Sequence, residues 1–226
     1  MKKALIIIFS IICSSSLYGQ QIEVLRDFGI WTGIDLEKKL SPNLNINLEQ
    51  QVRFYSDVSE LDDYIIDLGG KYRLNSNFKL GLNLRYTYNA RRNKTPENNN
   101  RYNLDLHYKA KLTKKIQLNY RLRYQQQFTD LFSREKEASG IRSAVRNKLR
   151  IRFKLNDTHK LHTSAELFRR METFREPYFN QLRFYLGDVI NTKIGDFDIA
   201  FGYEQEINTT FPQSFFFIKT GYTIKF

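Results

Sequence analysis

The chain of 226 residues has little of what builds disulfides, zinc sites or membrane helices. Its one cysteine, Cys13, can form no intramolecular disulfide and no cysteine-based zinc site. Its apolar runs are far shorter than the ~20 residues that a membrane-spanning helix requires, and its mean hydropathy is negative. A helical membrane bundle is therefore excluded, and the length leaves room for one domain or at most two small ones.

Aromatic residues and positive charge are abundant instead. Phe, Trp and Tyr make up 15% of the residues, which argues against ordinary disorder because disordered segments are poor in aromatics. The 36 Lys and Arg outnumber the 24 Asp and Glu and give a formal charge of +12. A basic chain suggests nucleic-acid binding, but no motif with a known DNA- or RNA-reading geometry is present, and the start of the chain favours export.

The first residues have the layout of a secretory signal peptide. A basic start precedes an apolar run over 4–13, and small or neutral residues follow up to a predicted cut before Gln20. An alternative makes Cys13 the acylated residue of a lipoprotein, although isoleucines precede it where small residues are required. We therefore expect two segments, a signal peptide over 1–19 and an outer-membrane β-barrel over 20–226.

From residue 28 on, apolar and polar residues alternate with the period of two that is typical of β-strands. Residues 78–88 (FKLGLNLRYTY) carry an apolar or aromatic residue at every second position, and the pattern recurs at 44–54, 102–112, 116–124 and 216–226. These segments match the about 9–11 residues of a membrane-spanning strand, whereas soluble strands average about five or six. The pattern predicts an all-β fold, a closed antiparallel up-and-down transmembrane β-barrel with a polar lumen.

The alternation predicts about 10–12 strands, with 12 preferred. Single-chain barrels of bacterial outer membranes normally have an even number of strands, but eleven segments are clear. Residues 20–27 could supply a short twelfth strand or thread through the lumen, and ten strands result if one hairpin is misread. The eleven segments are approximately 28–40, 44–55, 64–74, 78–88, 101–112, 116–128, 142–155, 160–170, 178–190, 197–207 and 214–226.

The connections alternate between short turns and longer loops, as in outer-membrane barrels. The short set, expected at the periplasmic end, is 41–43, 75–77, 113–115, 156–159 and 191–196. The long set, expected outside the cell, is 56–63, 89–100, 129–140, 171–177 and 208–213. These loops are polar, as solvated loops are; they could also serve adhesion, and Arg91, Arg92 and Lys94 could hold lipopolysaccharide phosphates.

Several stretches carry a resemblance to a known family. They are IDLEKKLSPNLNINLEQQVRF at 34–54, YRLNSNFKLGLNLRY at 72–86, YRLRYQQQF at 120–128 and RNKLRIRFKL at 146–155. On these the chain resembles domain-of-unknown-function family 2490, small outer-membrane barrels of Bacteroidetes-type Gram-negative bacteria. The resemblance implies fold and location over essentially the whole mature chain, and it transfers no catalytic or binding residues. The end of the chain also resembles the C-terminal signal of the barrel-assembly machinery, at Tyr222, Ile224 and Phe226.

The seventh segment carries five cations on the face that is predicted to point into the lumen. The opposite orientation is disfavoured, because a Lys or Arg that faces lipid at the midplane costs about 2–4 kcal/mol. With cations of the two preceding segments they form the predicted lumen basic cluster: Lys109, Lys111, Arg121, Arg123, Arg146, Lys148, Arg150, Arg152 and Lys154.

Two interpretations of this cluster stay open. Acids on other strands could neutralise it by pairing across the lumen, or unpaired cations could favour anions, as rings of Lys or Arg do in anion pores. The candidate acids are Asp35, Glu37, Glu49, Asp67, Asp105, Glu166, Asp198 and Glu204.

An enzyme is disfavoured. His162, Ser164 and Glu166 share one face of a strand and superficially resemble a base, a nucleophile and an orienting acid. Side chains two residues apart on a strand are about 6.5–7 Å apart, however, beyond the hydrogen-bond reach that a nucleophile and its base require. We expect no catalytic site, no cofactor and no metal site.

The sequence therefore predicts a monomeric outer-membrane barrel that serves as a passive narrow pore or a structural membrane component, with anion preference if it is open. The alternative is a closed barrel that binds partners or mediates adhesion through its extracellular loops. The expected partners are the lipid bilayer, lipopolysaccharide and the barrel-assembly machinery, and no nucleic acid.

Overall fold

The computed structural model describes residues 25–90, 95–129, 141–172 and 175–226. The predicted signal peptide, its cut site and the loop cations at 91, 92 and 94 lie outside these residues. No helix in the described ranges is long and apolar enough to cross a membrane. The strands are β1 Leu25–Lys39, β2 Leu44–Tyr55, β3 Glu60–Arg73, β4 Phe78–Asn89, β5 Glu97–Lys111, β6 Ile116–Thr129, β7 Ile141–Lys154, β8 His159–Glu172, β9 Arg175–Asn191, β10 Gly195–Glu206 and β11 Gln213–Lys225.

The eleven strands form one closed barrel in sequence order. This confirms the all-β closed barrel and the range of about 10–12 strands, whereas the preference for twelve is wrong. Residues 25–27 belong to β1 rather than to a strand of their own. Each strand is antiparallel to its neighbours along the chain. With an odd number of strands the first and the last run in the same direction, so β1 and β11 close the barrel as a parallel pair, from Leu25↔Gln213 to Glu37↔Lys225.

The barrel carries its apolar residues outside and its polar residues inside. Among the described residues, sixteen polar or charged residues are buried against seven hydrophobic ones, and 32 large hydrophobic residues are exposed. Leu82 and Leu104 are each 51% exposed, whereas the side chains of Arg121 and Arg150 are each 20% exposed. The core of a water-soluble protein has the opposite distribution.

The two ends of the barrel differ in their connections. At one end, which we call the short-turn end, the strands are joined by residues 40–43, 74–77, 112–115, 155–158 and 192–194. At the other, the loop end, strands extend into two of the expected long loops, 56–63 and 171–177: β3 begins at Glu60, β8 ends at Glu172 and β9 begins at Arg175. Polar residues there continue the strand ladders, as the pairs Arg53↔Asp63 and Glu172↔Arg175 show.

The turn between β2 and β3 is held in an unusual backbone conformation. Ser56, Asp57 and Val58 have φ angles of 54°, 53° and 69°, in the left-handed region that a β-branched residue such as Val58 rarely adopts. The carboxylate of Asp27, on β1, accepts hydrogen bonds from the backbone N–H groups of Ser56 (3.1 Å) and Asp57 (3.4 Å). These bonds tie the turn to the first strand.

Candidate functional site in the barrel lumen

Ion pairs line the lumen, and most of them join neighbouring strands. Inward residues that face each other on adjacent strands have Cβ atoms only about 4.5–5.5 Å apart, so register alone brings opposite charges together. The expectation that the acids pair mainly across the lumen is therefore wrong. Five pairs occupy directly opposed positions: Arg53–Asp63 (3.4 Å), Asp67–Arg85 (2.7 Å), Asp105–Arg123 (2.6 Å), Glu166–Lys148 (3.7 Å) and Glu204–Arg183 (2.5 Å).

Glu166, on β8, lies at the centre of the densest group of charges. Its side chain is 1% exposed, and its Oε1 accepts hydrogen bonds from Arg121 (2.6 Å) and Arg146 (2.9 Å). Lys148 approaches the other carboxylate oxygen at 3.7 Å. Three cations share this one carboxylate, so the group that we call the Glu166 cluster (Arg121, Arg146, Lys148 and Glu166) keeps a net positive charge.

Asp105 and Asp67 fix two further arginines on the adjoining wall. The Arg123 guanidinium donates from two nitrogens to both oxygens of Asp105, at 2.6 Å each, which is the bidentate geometry of a strong Arg–carboxylate pair. Arg85 and Asn83 donate to the two oxygens of Asp67 at 2.7 and 2.9 Å. These bonds hold the side chains of β3–β6 against the barrel wall.

The three residues that resembled a catalytic set have different partners. His162 bonds through Nε2 to Asp198 of β10 at 2.9 Å, and Asp198 lies 3.9 Å from Arg150. Glu166 is held by its three cations, and the buried Ser164 hydroxyl has no hydrogen-bond partner within the described ranges. The residues that the structure describes contain no group of three or more His, Cys, Asp or Glu placed to hold a metal ion.

An aromatic cluster fills one side of the lumen, and the sequence analysis did not single it out. Trp31 stacks on Phe217 with ring centroids 3.8 Å apart, and Tyr185 meets Phe217 edge-on at 5.6 Å. Trp31 and Phe217 are 4% and 0% exposed, and Phe215 packs against them. Arg53 and Arg183 lie over the Trp31 ring at 4.0 and 5.1 Å, a distance at which a cation is attracted to the ring.

The period-two alternation of β11 already indicates that the aromatic residues of this cluster point inward. Phe215 and Phe217 stand in phase with Lys219, on the face opposite Phe216 and Ile218, so their position in the alternation places them inside. Gly202 makes room for them, because a Cβ added there would overlap the Phe217 ring. An all-aromatic run hides the alternation, which is why only the outward residues of this segment were assigned.

The central part of the lumen contains a cavity of about 590 Å³ with an excess of positive charge. Its lining includes twelve Lys or Arg and six Asp or Glu, together with Trp31 and Tyr185. The ion pairs therefore neutralise only part of the charge that faces the cavity. An anion in this space meets a positive potential, which the low-dielectric wall of a barrel strengthens.

The structure divides the predicted lumen basic cluster between two places. Arg121, Arg123, Arg146 and Lys148 line the central cavity. A second cavity at the short-turn end, of about 690 Å³, is lined by the other cations of the prediction except Arg150, namely Lys109, Lys111, Arg152 and Lys154. Outside the strands, a hydrogen bond from Lys154 lowers the pKa of the exposed Asp157 carboxyl.

The predicted C-terminal assembly signal lies along the closing strand. Tyr222 and Ile224 are on β11, paired with Ile34 and Leu36 of β1. Phe226 is 70% exposed, and its backbone N–H donates to the Glu37 carbonyl at 2.9 Å. The end of the chain thus extends the parallel seam by one residue.

Comparison with known proteins gives one match. The sequence of residues 28–214, most of the barrel, matches a family described as proteins of unknown function, DUF2490. No curated protein and no solved structure matches the chain. Since the match covers well over half of the sequence, the chain belongs to the DUF2490 family of proteins of unknown function.

Proposed function

We propose that the protein is an outer-membrane barrel whose basic lumen forms a narrow, anion-preferring path. A closed barrel with large apolar residues outside and ion pairs inside suits a hydrocarbon surround, because such a barrel satisfies every backbone hydrogen bond internally. The strands of 12–17 residues exceed the about 9–11 that cross a bilayer at a tilt. The secretory signal peptide that the sequence predicts at 1–19 agrees with this location.

The outward polar side chains give independent support for a lipid surround. Gln50 donates to the Tyr64 hydroxyl at 2.8 Å, and Asn147 accepts from the Tyr120 hydroxyl at 2.6 Å. Gln126 likewise accepts from Tyr102. Amides that would be costly in hydrocarbon if unbonded are thus bonded to hydroxyls on the neighbouring strand, where water would make such partners unnecessary.

The charge of the central cavity carries the proposed preference for anions. Twelve cations against six acids face this space, and rings of Lys and Arg select anions in pores. The Glu166 cluster and the aromatic cluster together narrow the path. The side chains alone can fill the interior of a barrel of about eight strands. A barrel of eleven strands is wider and leaves more room inside.

The experiment is a planar-bilayer recording of the refolded protein across a KCl gradient. We expect small currents whose reversal potential shows chloride preference. Lys71→Gln with Lys219→Gln removes two cavity cations and should move the reversal potential toward zero. Lys38→Gln with Lys193→Gln removes two exposed cations outside that lining and should leave it unchanged. Cation preference in the unaltered protein would overturn the proposal.

A second candidate is a closed barrel that binds a partner, through its loop end. The aromatic cluster favours it, because the stacked Trp31 and Phe217 rings occupy one side of the lumen without solvent. Absence of current from protein whose folding is verified, together with a loop-end partner recovered by crosslinking, would favour this candidate over the pore. Contacts with lipopolysaccharide and with the barrel-assembly machinery belong to either candidate.

A further inference from the structure

The cavity at the short-turn end is bordered by cations and by no acid. Seven of its ten lining residues are Lys or Arg, and the others are Thr113, Ile116 and Gln117. We call the seven the basic mouth: Lys109, Lys111, Lys114, Lys115, Arg152, Lys154 and Lys160. They come from the ends of β5, β7 and β8 and from the turn between β5 and β6.

The basic mouth is an arrangement that the fold alone does not favour. Lys154 and Lys160 occupy directly opposed positions on β7 and β8, and like charges that face each other across a strand pair are destabilising. In the described part of the chain, Lys154 is paired with Asp157 (2.5 Å) and Lys160 with the amide oxygen of Asn191 (3.0 Å). No carboxylate among the described residues lies within 4.0 Å of Arg152, Lys109 or Lys111.

Unused hydrogen-bond donors lie immediately inside the basic mouth. The Nε–H groups of Arg150 and Arg152 and the amide nitrogen of Asn119 are buried and have no acceptor in the described ranges. Asn119 and Arg150 are opposed across β6 and β7, and Arg152 follows two residues later on the same face. Buried donors normally have a partner. Lys109, Lys111 and Arg152 lack a paired carboxylate in the described part of the chain, and the three donor groups inside lack an acceptor.

We propose that the basic mouth binds a phosphate-bearing anion with two or more phosphate charges. Several ammonium groups around a space of about 690 Å³ suit phosphate, for which Lys serves as a point charge and Arg as a fork of donors. The phosphates could belong to lipid headgroups of the adjacent leaflet or to a free phosphorylated solute. The inference rests on the barrel and its charges, and it requires neither an open lumen nor a current.

The test is calorimetric titration of inorganic pyrophosphate into the full chain, refolded in nonionic detergent. The triple variant Lys109→Gln, Lys111→Gln, Arg152→Gln should bind pyrophosphate at least about tenfold more weakly. A matched triple variant, Lys38→Gln, Lys39→Gln, Lys193→Gln, removes the same charge from the same end outside the cavity and should change binding less than about twofold.

A repeat in nanodiscs distinguishes the two sources of phosphate. If lipid headgroups fill the site, pyrophosphate will bind in phosphatidylcholine discs and be displaced in phosphatidylglycerol discs. If the ligand is a free solute, pyrophosphate will bind equally in both kinds of disc. The proposal is overturned if pyrophosphate binds neither in detergent nor in phosphatidylcholine discs, or if the two triple variants lose binding equally. The bilayer currents test the proposed pore separately.

Folding of the variants is checked independently by the thermal midpoint of the β-sheet circular-dichroism signal. Removal of mutually repelling cations should leave the midpoint of the cavity triple variant unchanged or raise it. Pyrophosphate should raise the midpoint of the unaltered protein, because a ligand that binds only the folded state stabilises it. Should the triple variant fail to refold, Lys111→Gln alone, at an exposed position, replaces it in the titration.

Discussion

Three cations of the lumen share a single carboxylate, which makes Glu166 the residue on which this group of charges depends. Glu166→Gln would leave the buried Arg146 and the half-buried Arg121 and Lys148 without their shared counter-charge. Breaking a buried ion pair from one side costs about 3–5 kcal/mol, so we expect a loss of that size in the free energy of unfolding, measured by urea denaturation in detergent. Asp157→Asn, which removes an exposed partner of Lys154, is the control and should leave the urea midpoint unchanged.

Trp31 provides a reporter for the aromatic cluster, since it is the one tryptophan of the sequence. In Gly202→Ala the new methyl group overlaps the Phe217 ring, and the ring must move away from Trp31. We expect red-shifted Trp31 emission and a lower unfolding midpoint. Gly70→Ala is the matched control, because a Cβ there meets nothing within 4 Å. Unchanged emission in Gly202→Ala would contradict the packing of Phe217 against this glycine.

At the residue scale, the sequence placed side chains on the correct face far better than it identified their partners. The alternation of apolar and polar residues along a strand is enough to predict that Arg121 and Arg146 point inward. Pairing of Arg121 with Glu166, however, joins β6 to β8, and it depends on register and on the curvature of the closed sheet. The alternation within one strand gives neither the register nor the curvature. The sequence therefore predicts that the acids face the lumen but does not predict which cations they pair with.

At the scale of elements, alternation located all eleven strands but misjudged their ends. Polar residues at the loop end, such as Asp63 and Glu172, have the composition of a loop and yet continue the ladders. The side chain of Asp63 lines a polar cavity of the lumen, and on such a polar face composition does not distinguish strand from loop. The parallel pairing of β1 with β11 was not predicted, because it follows from an odd number of strands, and the interpretation of residues 20–27 as a twelfth strand made the expected number even.

The parallel seam between β1 and β11 can be tested with a disulfide. Thr32 and Thr220 are opposed, and their hydroxyls are 3.1 Å apart. Thr32→Cys with Thr220→Cys, in a chain whose one native cysteine is Cys13, should form a disulfide on mild oxidation, because neighbouring strands bring Cα atoms within the range of the bond. The looped chain should migrate differently from the reduced chain on a denaturing gel.

The control for this crosslink moves one cysteine along the same face of β11. Thr32→Cys with Tyr222→Cys joins positions two residues out of register and should oxidise slowly or not at all. Equal oxidation of both pairs, or of neither, would show that β1 and β11 are not neighbours in this register. An even-stranded barrel with an antiparallel closure would not place Thr32 opposite Thr220.

For the whole molecule, the inside-out distribution of residues supports the proposed membrane location, and one substitution tests whether the outer wall faces lipid or water. Leu84 lies near the middle of β4 and is 56% exposed on the outer wall. In a bilayer, Leu84→Arg should cost about 2–4 kcal/mol, whereas a water-exposed surface would accept the charge at no cost. Refolding into phosphatidylcholine vesicles, followed by urea titration, measures this loss.

Leu112→Arg, at an exposed position in a turn of the short-turn end, should cost much less because charge is tolerated near the interface. An equal and small effect of the two substitutions would mean that Leu84 does not face hydrocarbon, and the basic lumen would then have to be explained without a membrane.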